Sequence, residues 1–320
     1  MLLVIGANTM IRGASALAAS LGVPPVVIGL TIVAFGTSAP ELVVNVTAAI
    51  SGKAQLAFGS IVGSSTINLG WVLALTALVR PIKVERSIIS REIPMMLLGT
   101  LAFGALAADQ FLDGSPENLL TRGNGVILLL LFCVFIYYTI SSVLLAPKKM
   151  REEDPFAEEV AEGLEKRRPL SMPVSIGLTI GGLVMLVIGG RLTVYAAVKV
   201  ASALGMPEFL IGLTIISFGT TLPELVTGIL ATRRGEGDIA MGNVVGSNIF
   251  NLLFIGGTVS VLSPIPVPPG GLGDLLLLSF LTAISLPIAI RGQRTVTRAE
   301  GAFLLVIYLS YLVWRVAGST

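Results

Sequence analysis

Two glutamates occupy places in the sequence where apolar residues are expected. Glu41 and Glu224 lie deep within long apolar segments, whereas the other acidic residues fall in polar stretches or near segment ends. A charged side chain at the centre of a membrane costs about 3 kcal/mol by insertion scales, so such residues usually have a function. Each glutamate ends the same short pattern, FGTSAPE at 35–41 and FGTTLPE at 218–224.

The residues around each glutamate supply further oxygen atoms. Pro40 and Pro223 have no N–H group, which leaves the carbonyls of Gly36 and Gly219 without a helical donor. Hydroxyl groups adjoin each glutamate, those of Thr37, Ser38, Thr220 and Thr221. Carboxylate, hydroxyl and carbonyl oxygens are the ligands of hard cations such as Na⁺ and Ca²⁺. A packing kink would explain the glycine and proline, but it would leave the glutamate unexplained.

A second polar pattern follows each glutamate segment. It places polar side chains four residues apart, on one helical stripe, at Ser60, Ser64 and Asn68 and again at Asn243, Ser247 and Asn251. Ser64, Asn68, Ser247 and Asn251 fit ordinary contacts between membrane helices as well as they fit ligands. Ser60 and Asn243 are the stronger ligand candidates, because they head the stripes and differ between them.

The two polar patterns belong to an internal repeat. Residues 21–69 align without a gap on residues 204–252, with 24 identities in 49 positions that include glycine, proline, glutamate and asparagine. Shared apolar composition alone would not align those residue types. The two halves of the chain therefore derive from one unit.

The composition places these repeats in a membrane. The chain has 54% hydrophobic and 12% charged residues, about half the charge of a soluble domain. Stretches of about 20 apolar residues span a bilayer, and ten can be marked, which predicts an all-α protein of ten transmembrane helices. We expect a first five-helix repeat at 1–146, a linker at 147–171 and a second repeat at 172–320. The repeated motifs cover about 29–76 and 212–259.

Five spans in each half give the halves opposite orientations. With the N-terminus outside, most basic residues fall in cytoplasmic loops, as the positive-inside rule requires. Both termini are then extracellular or periplasmic, and the linker is cytoplasmic. The first span begins abruptly at Met1 and is shorter than its counterpart from about residue 172, so we expect it to lack a few initial residues. Inverted repeats are typical of secondary transporters with a site near the membrane midplane.

Several other functions are disfavoured by what the sequence contains. It has no histidine and one cysteine, Cys133, which excludes histidine-based relays, Ser-His catalysis and an internal disulfide. Two Gly-x-Gly-Asp-like stretches lack the partner Tyr-Asp pair of intramembrane aspartyl proteases. A net charge of +2 gives no indication of a nucleic-acid partner. We expect a transporter rather than an enzyme.

The paired GTSAPE and GTTLPE segments, each followed by a G-[SN]-x-x-G-S block, resemble the alpha repeats of the cation/calcium exchanger superfamily, in particular prokaryotic sodium/calcium exchangers. The resemblance implies a core of the second, third, seventh and eighth helices, across which the first and sixth slide. It implies Glu41 and Glu224 as central ligands, with Thr37, Ser38, Thr220 and Thr221 beside them and with carbonyls near Ala34 and Ser217. The remaining central positions, usually Asn or Asp, are Ser60 and Asn243 here, so the site should be more open beside Ser60.

The resulting prediction is a Na⁺/Ca²⁺ antiporter of the plasma or inner membrane. Its partners would be Ca²⁺, Na⁺ and the lipid bilayer, with no cofactor, and it would act as a monomer. Exchange of Ca²⁺ for H⁺, K⁺-dependent exchange and a cation channel remain open as alternatives.

Overall fold

The computed structural model describes residues 1–112, 114, 116–144, 170–204 and 217–317, and this part of the chain is almost entirely helical. The helices, in chain order, are α1 (Leu2–Leu21), α2 (Pro25–Thr37), α3 (Ala39–Ile50), α4 (Ala54–Val79), α5 (Ile88–Leu106), α6 (Asp109–Leu112), α7 (Arg122–Leu144), α8 (Met172–Ala203), α9 (Ser217–Thr220), α10 (Leu222–Arg233), α11 (Gly237–Leu262), α12 (Gly271–Arg294) and α13 (Arg298–Ala317). The described residues also contain four two-residue strands, β1 (Ile82–Lys83), β2 (Leu119–Leu120), β3 (Ile265–Pro266) and β4 (Thr295–Val296).

The predicted all-α membrane architecture is confirmed. Within the described residues, seven helices are long and apolar enough to cross a membrane, and the bent pair α2–α3 brings the number to eight. The tenth predicted span coincides with α13, which is 20 residues long. The seventh predicted span, at about 208–232, begins with residues 208–216, which lie outside the described part. Most of the predicted linker 147–171 lies outside it too. The total of ten spans stays a prediction.

Both glutamate segments interrupt a helix. The axes of α2 and α3 differ by 44°, and the break falls at Ser38, whose ψ of 0° leaves the helical range. Thr221 has the same conformation, with a ψ of 2°, between α9 and α10. In each case a proline lies in the first turn of the following helix, Pro40 in α3 and Pro223 in α10, where its missing N–H does no harm. Proline thus ends one helix and starts the next at the predicted places.

Helices α4 and α11, which come after α3 and α10 in the chain, each contain a wider turn in the middle. A π-helical turn runs from Asn68 to Leu73 in α4, and another runs from Phe250 to Ile255 in α11. Such turns occur often at functional sites, because an extra residue in one turn re-aims the side chains around it. Both turns contain an asparagine of the repeated stripe, Asn68 or Asn251.

Two small antiparallel ribbons connect the halves of the chain. In one, β1 pairs with β4, so that Ile82 lies opposite Val296; in the other, β2 pairs with β3, so that Leu120 lies opposite Ile265. Each ribbon therefore takes one strand from each half. This pairing keeps segment 80–87, between α4 and α5, next to segment 295–297, between α12 and α13.

Helices α1 and α8 pack directly on each other through small residues. A Cβ atom on Gly182 would lie 2.4 Å from the backbone nitrogen of Met10, and one on Gly13 would lie 2.5 Å from that of Thr179. Backbones this close exclude any larger side chain at the crossing. The two helices therefore form one closely packed pair against the broken helices.

Candidate cation site

The two predicted acidic ligands occupy equivalent structural positions. Glu41 lies in the first turn of α3 and Glu224 in the first turn of α10, and their side chains are 3% and 1% exposed. The amino end of a helix carries a partial positive charge, which stabilises a carboxylate there. The break in each helix thus creates a local environment in which a buried negative charge is tolerated.

Each carboxylate faces the hydroxyl groups of the other half. The Thr220 hydroxyl lies beside the Glu41 carboxylate, and the hydroxyls of Thr37 and Ser38 lie beside that of Glu224. The two carboxylates are also close enough for the charge of Glu224 to act on Glu41. Five of the predicted site residues therefore meet at one place, Glu41, Glu224, Thr37, Ser38 and Thr220.

Several oxygen atoms at this place have no hydrogen-bond donor in regular geometry among the described residues. They include both carboxylate oxygens of Glu41, one carboxylate oxygen of Glu224, Oε2, and the hydroxyl of Ser38. A buried acceptor without a donor is costly. A bound cation would compensate such oxygens, because it satisfies several of them at once.

Asn243 and Thr37 form the link between α11 and α2. The Thr37 hydroxyl donates to Asn243 Oδ1 at 3.1 Å and, less directly, to the carbonyl of Ala34 at 3.3 Å. The Ala34 carbonyl also accepts the Ser38 N–H at 3.0 Å. Thr37 and Asn243 are fully buried. The predicted residues Ala34, Thr37 and Asn243 are therefore in direct contact.

Thr221 and Ser217 are the second-half counterparts of Ser38 and Ala34 in the repeat. Thr221 is buried, and its hydroxyl donates to the Phe218 carbonyl at 3.0 Å. Ser217 begins α9, and its side chain lies outside the described part of the structure. Its role as a carbonyl donor stays a prediction.

Ser60 lies against a residue that the sequence reasoning missed. Ser60 is half-buried, and its hydroxyl accepts a hydrogen bond from Asn45 Nδ2 at 3.1 Å. The same Asn45 nitrogen donates to the Glu41 carbonyl at 2.8 Å. Asn45 is itself 1% exposed and lies one helical turn after Glu41 on the same face. An amide four residues from the acidic ligand, inside an apolar span, was the signal that could have identified it.

The later residues of the two polar stripes, Asn68, Ser247 and Asn251, are also buried. Asn68 donates from Nδ2 to Asn248 Oδ1 at 3.1 Å, a contact that joins α4 to α11. Three oxygens here have no donor among the described residues, those of Asn68 Oδ1, Ser247 Oγ and Asn251 Oδ1. From the sequence alone, these residues fitted contacts between helices as well as they fitted cation ligands. Their oxygens without a donor favour the role of cation ligands.

The side of the site next to Ser38 is apolar. A narrow pocket is lined by Ser38, Leu42, Phe35, Phe250 and Phe254, among others. The rings of Phe35 and Phe250 lie 5.5 Å apart between centroids. No cluster of three acidic, cysteine or histidine side chains suited to a metal occurs within the described residues. A cation at this place would therefore depend on two carboxylates and on neutral oxygens.

Paired buried carboxylates at the breaks of membrane helices define the class of ion-transporting membrane proteins. Comparison with known families specifies that class. The family described as "Sodium/calcium exchanger protein" matches residues 1–141 and 174–317, and the chain belongs to this family.

Individual relatives agree with the family assignment. The chain is 36% identical to the putative antiporter CaxA of Alkalimonas amylolytica over 313 residues, covering 97% of this chain and 94% of the relative. It is 32% identical to the inner membrane protein YrbG of Escherichia coli, covering 98% and 94%. A solved structure of the sodium-calcium exchanger NCX_Mj, soaked with Na⁺ and Sr²⁺, superposes with a TM-score of 0.81 at 27% identity, covering 98% and 94%. This protein is therefore a multi-pass membrane cation/Ca²⁺ exchanger and not an enzyme.

Proposed function

We propose that the protein exchanges Na⁺ for Ca²⁺ by alternating access, with the two ions competing for one site around Glu41 and Glu224. The observation that carries this proposal is the meeting of the two buried carboxylates with hydroxyls of the opposite half. The relatives add support, since one is named sodium/calcium exchanger MaX1, of Methanosarcina acetivorans, at 29% identity over 97% of this chain.

The charge of the site explains why the ions would compete. Two carboxylates contribute about two negative charges, which one Ca²⁺ or two Na⁺ can neutralise. An empty site would hold unpaired charge in a medium of low dielectric constant, which is costly. An occupied site is nearly neutral and can be covered by moving helices more easily. Exchange is then favoured over leak.

The proposed ligand set begins with the residues that the sequence predicts. These are Glu41, Glu224, Thr37, Ser38, Thr220, Thr221, Ser60 and Asn243, with the carbonyls of Ala34 and Ser217. The buried oxygens of Asn68, Ser247 and Asn251 extend this set, because they lack donors among the described residues. Most of these groups are neutral, as expected for a site that must release its cargo. Ca²⁺ and Na⁺ are substrates here and not cofactors.

We also propose that residues 1–146 and 172–320 are two five-helix repeats of inverted topology, joined by a cytoplasmic linker at 147–171. The ribbons support this topology. The β1–β4 ribbon needs segments 80–87 and 295–297 on one face, and β2–β3 needs segments 107–121 and 263–270 on one face. Six basic residues lie on or near the β1–β4 ribbon, Arg80, Lys83, Arg86, Arg291, Arg294 and Arg298. By the positive-inside rule, this favours the cytoplasmic side for that ribbon. Both termini would then face outward from the plasma or inner membrane.

The moving part of this mechanism would be the pair α1 and α8. Their close backbone crossing at Gly13 and Gly182 supports movement of the two helices as one body. In this proposal a monomer contains the complete site, and the pair slides across the core to open it to one side at a time.

Flux measurements in proteoliposomes test the coupling ion. Vesicles loaded with Na⁺ and diluted into Na⁺-free buffer should accumulate Ca²⁺, whereas K⁺-loaded vesicles and protein-free liposomes should not. Uptake driven equally well by a pH gradient without Na⁺ would instead establish H⁺/Ca²⁺ exchange. Uptake that requires both Na⁺ and K⁺ would establish the K⁺-dependent alternative, and flux that needs no counter-ion would indicate a channel.

A further inference from the structure

We propose that Asn45 is a positioning and specificity-determining residue of the cation site, and that it supplies from α3 the amide that position 60 of α4 lacks. This inference rests on the proposed exchange function. It starts from the repeat, in which Ser60 aligns with Asn243 and Asn45 aligns with Gly228. The first half thus has an amide at 45 and a hydroxyl at 60, and the second half has no side chain at 228 and an amide at 243.

The contacts show that both amides bind a site hydroxyl. Asn243 Oδ1 accepts from the Thr37 hydroxyl at 3.1 Å, and Asn45 Nδ2 donates to the Ser60 hydroxyl at 3.1 Å. Both asparagines are buried, with exposures of 0% and 1%. Each half therefore supplies one buried amide that hydrogen-bonds a hydroxyl of the first half, but the two amides come from helices that are not equivalent in the repeat, α11 and α3.

The packing around positions 45 and 228 explains why the amide lies on different helices in the two halves. A Cβ atom at Gly228 would lie 2.9 Å from the Thr76 hydroxyl, so the Thr76 side chain would have to move to admit an asparagine there. At position 45 the space is open enough for Asn45 to reach both Ser60 and the Glu41 carbonyl. Asn45 therefore connects the acidic turn of α3 to α4 as well as orienting Ser60.

This role predicts a rescue between two positions. Asn45→Ser removes the amide and should raise the apparent KM for Ca²⁺ about tenfold, the usual effect of losing a buried hydrogen bond. Ser60→Asn places a second amide against the first and should also raise that KM. The double variant Asn45→Ser with Ser60→Asn moves the amide from α3 to α4. Helix α4 is the repeat equivalent of α11, which carries the amide of Asn243 in the second half. The KM of the double variant should lie within about twofold of the unchanged protein.

The experiment measures Ca²⁺ uptake into Na⁺-loaded proteoliposomes at varied Ca²⁺, with folded protein quantified by size exclusion. Asn124→Ser is the matched control, because Asn124 donates to the Leu106 carbonyl at 2.9 Å away from the site, and its KM should not change. A double variant no better than Ser60→Asn would overturn the inference, and this comparison stands even if Asn45→Ser does not fold. An unchanged KM in Asn45→Ser with reduced protein yield would likewise overturn it, since that result shows a structural role only.

The two proposals fail in different ways. If the unchanged protein takes up Ca²⁺ in response to a pH gradient but not to Na⁺, the proposed Na⁺ coupling is wrong. The rescue by the double variant is then measured as Ca²⁺ uptake driven by the pH gradient. If the unchanged protein exchanges Na⁺ and the double variant is not rescued, only the role of Asn45 is wrong.

Discussion

The two halves of the cation site are alike at the carboxylates and different at the neutral polar residues around them. We call these residues the wall, which is Asn243 with Thr37 for the second half and Ser60 with Asn45 for the first. Glu41 and Glu224 each lie in the first turn of a 12-residue helix after a break, and each faces hydroxyls of the other half. Behind them, Asn243 is fully buried on Thr37, whereas Ser60 is half-buried on Asn45. The repeat therefore keeps the charges and the helix breaks, while the neutral groups have diverged.

This difference indicates which features of the site tolerate change. A carboxylate must stay where a helix amino end stabilises it, so its position is tied to the break in the backbone. A neutral amide needs only a hydrogen-bond partner and can be supplied by either of two adjacent helices. Divergence between the halves is therefore expected among the neutral ligands, where it would adjust ion preference without removing exchange.

The largest effect should come from the shared feature, the carboxylates. Glu41→Gln and Glu224→Gln each remove a negative charge that the cation needs, so either change should reduce Na⁺-driven Ca²⁺ uptake by at least about a hundredfold. The two losses should be similar. Initial uptake rates in proteoliposomes measure this effect, with Glu117→Gln, in an exposed loop, as the control. Normal uptake in either site variant would contradict the assignment of the acidic ligands.

The wall should respond unequally to equivalent changes. Asn243→Ala leaves the buried Thr37 hydroxyl without its best partner and should reduce uptake about 5- to 100-fold. Ser60→Ala should cost only about threefold, because Ser60 is only half-buried and one of the two N–H groups of Asn45 Nδ2 still donates to the Glu41 carbonyl. Apparent KM values for Ca²⁺ in the two variants test the comparison. Equal losses would show that the two walls work alike despite their different residues.

The symmetric features were predictable from the sequence because they have local signals. A glutamate inside an apolar span is recognisable by itself, and a proline just before it predicts the break that the structure shows at Ser38 and Thr221. Apolar length also predicts helices that are able to cross a membrane, and the described residues contain seven such helices, or eight with the bent pair α2–α3. None of these features requires knowledge of how distant helices cross.

The contacts of the wall could not be derived in that way. The pairs Asn45–Ser60 and Thr37–Asn243 depend on the crossing of α3 with α4 and of α2 with α11, which one sequence does not specify. The sequence therefore suggested an opening beside Ser60, where the structure places the amide of Asn45. The π-helical turns at 68–73 and 250–255 likewise carry no local sequence signal.

A smaller effect, on stability, should come from the packing of the second-half wall. A Cβ atom on Gly246 of α11 would lie 2.7 Å from both the Ala34 Cβ atom and the Leu30 carbonyl oxygen of α2. Gly246→Ala must therefore push two backbones apart, and this overpacking should lower the melting temperature by about 3–8 °C.

The matched control for this change lies on α8. Gly181 is exposed, and a Cβ atom there would meet no described atom within 4 Å, so Gly181→Ala should not lower the melting temperature and should raise it slightly through the higher helix propensity of alanine. Thermal unfolding in detergent, followed by size exclusion, measures both variants. Because α2 carries Thr37 and α11 carries Asn243, Gly246→Ala should also lengthen their hydrogen bond and weaken Ca²⁺ binding. A melting temperature equal to that of Gly181→Ala would mean that α2 and α11 separate freely, and that the second-half wall is no more rigid than the first.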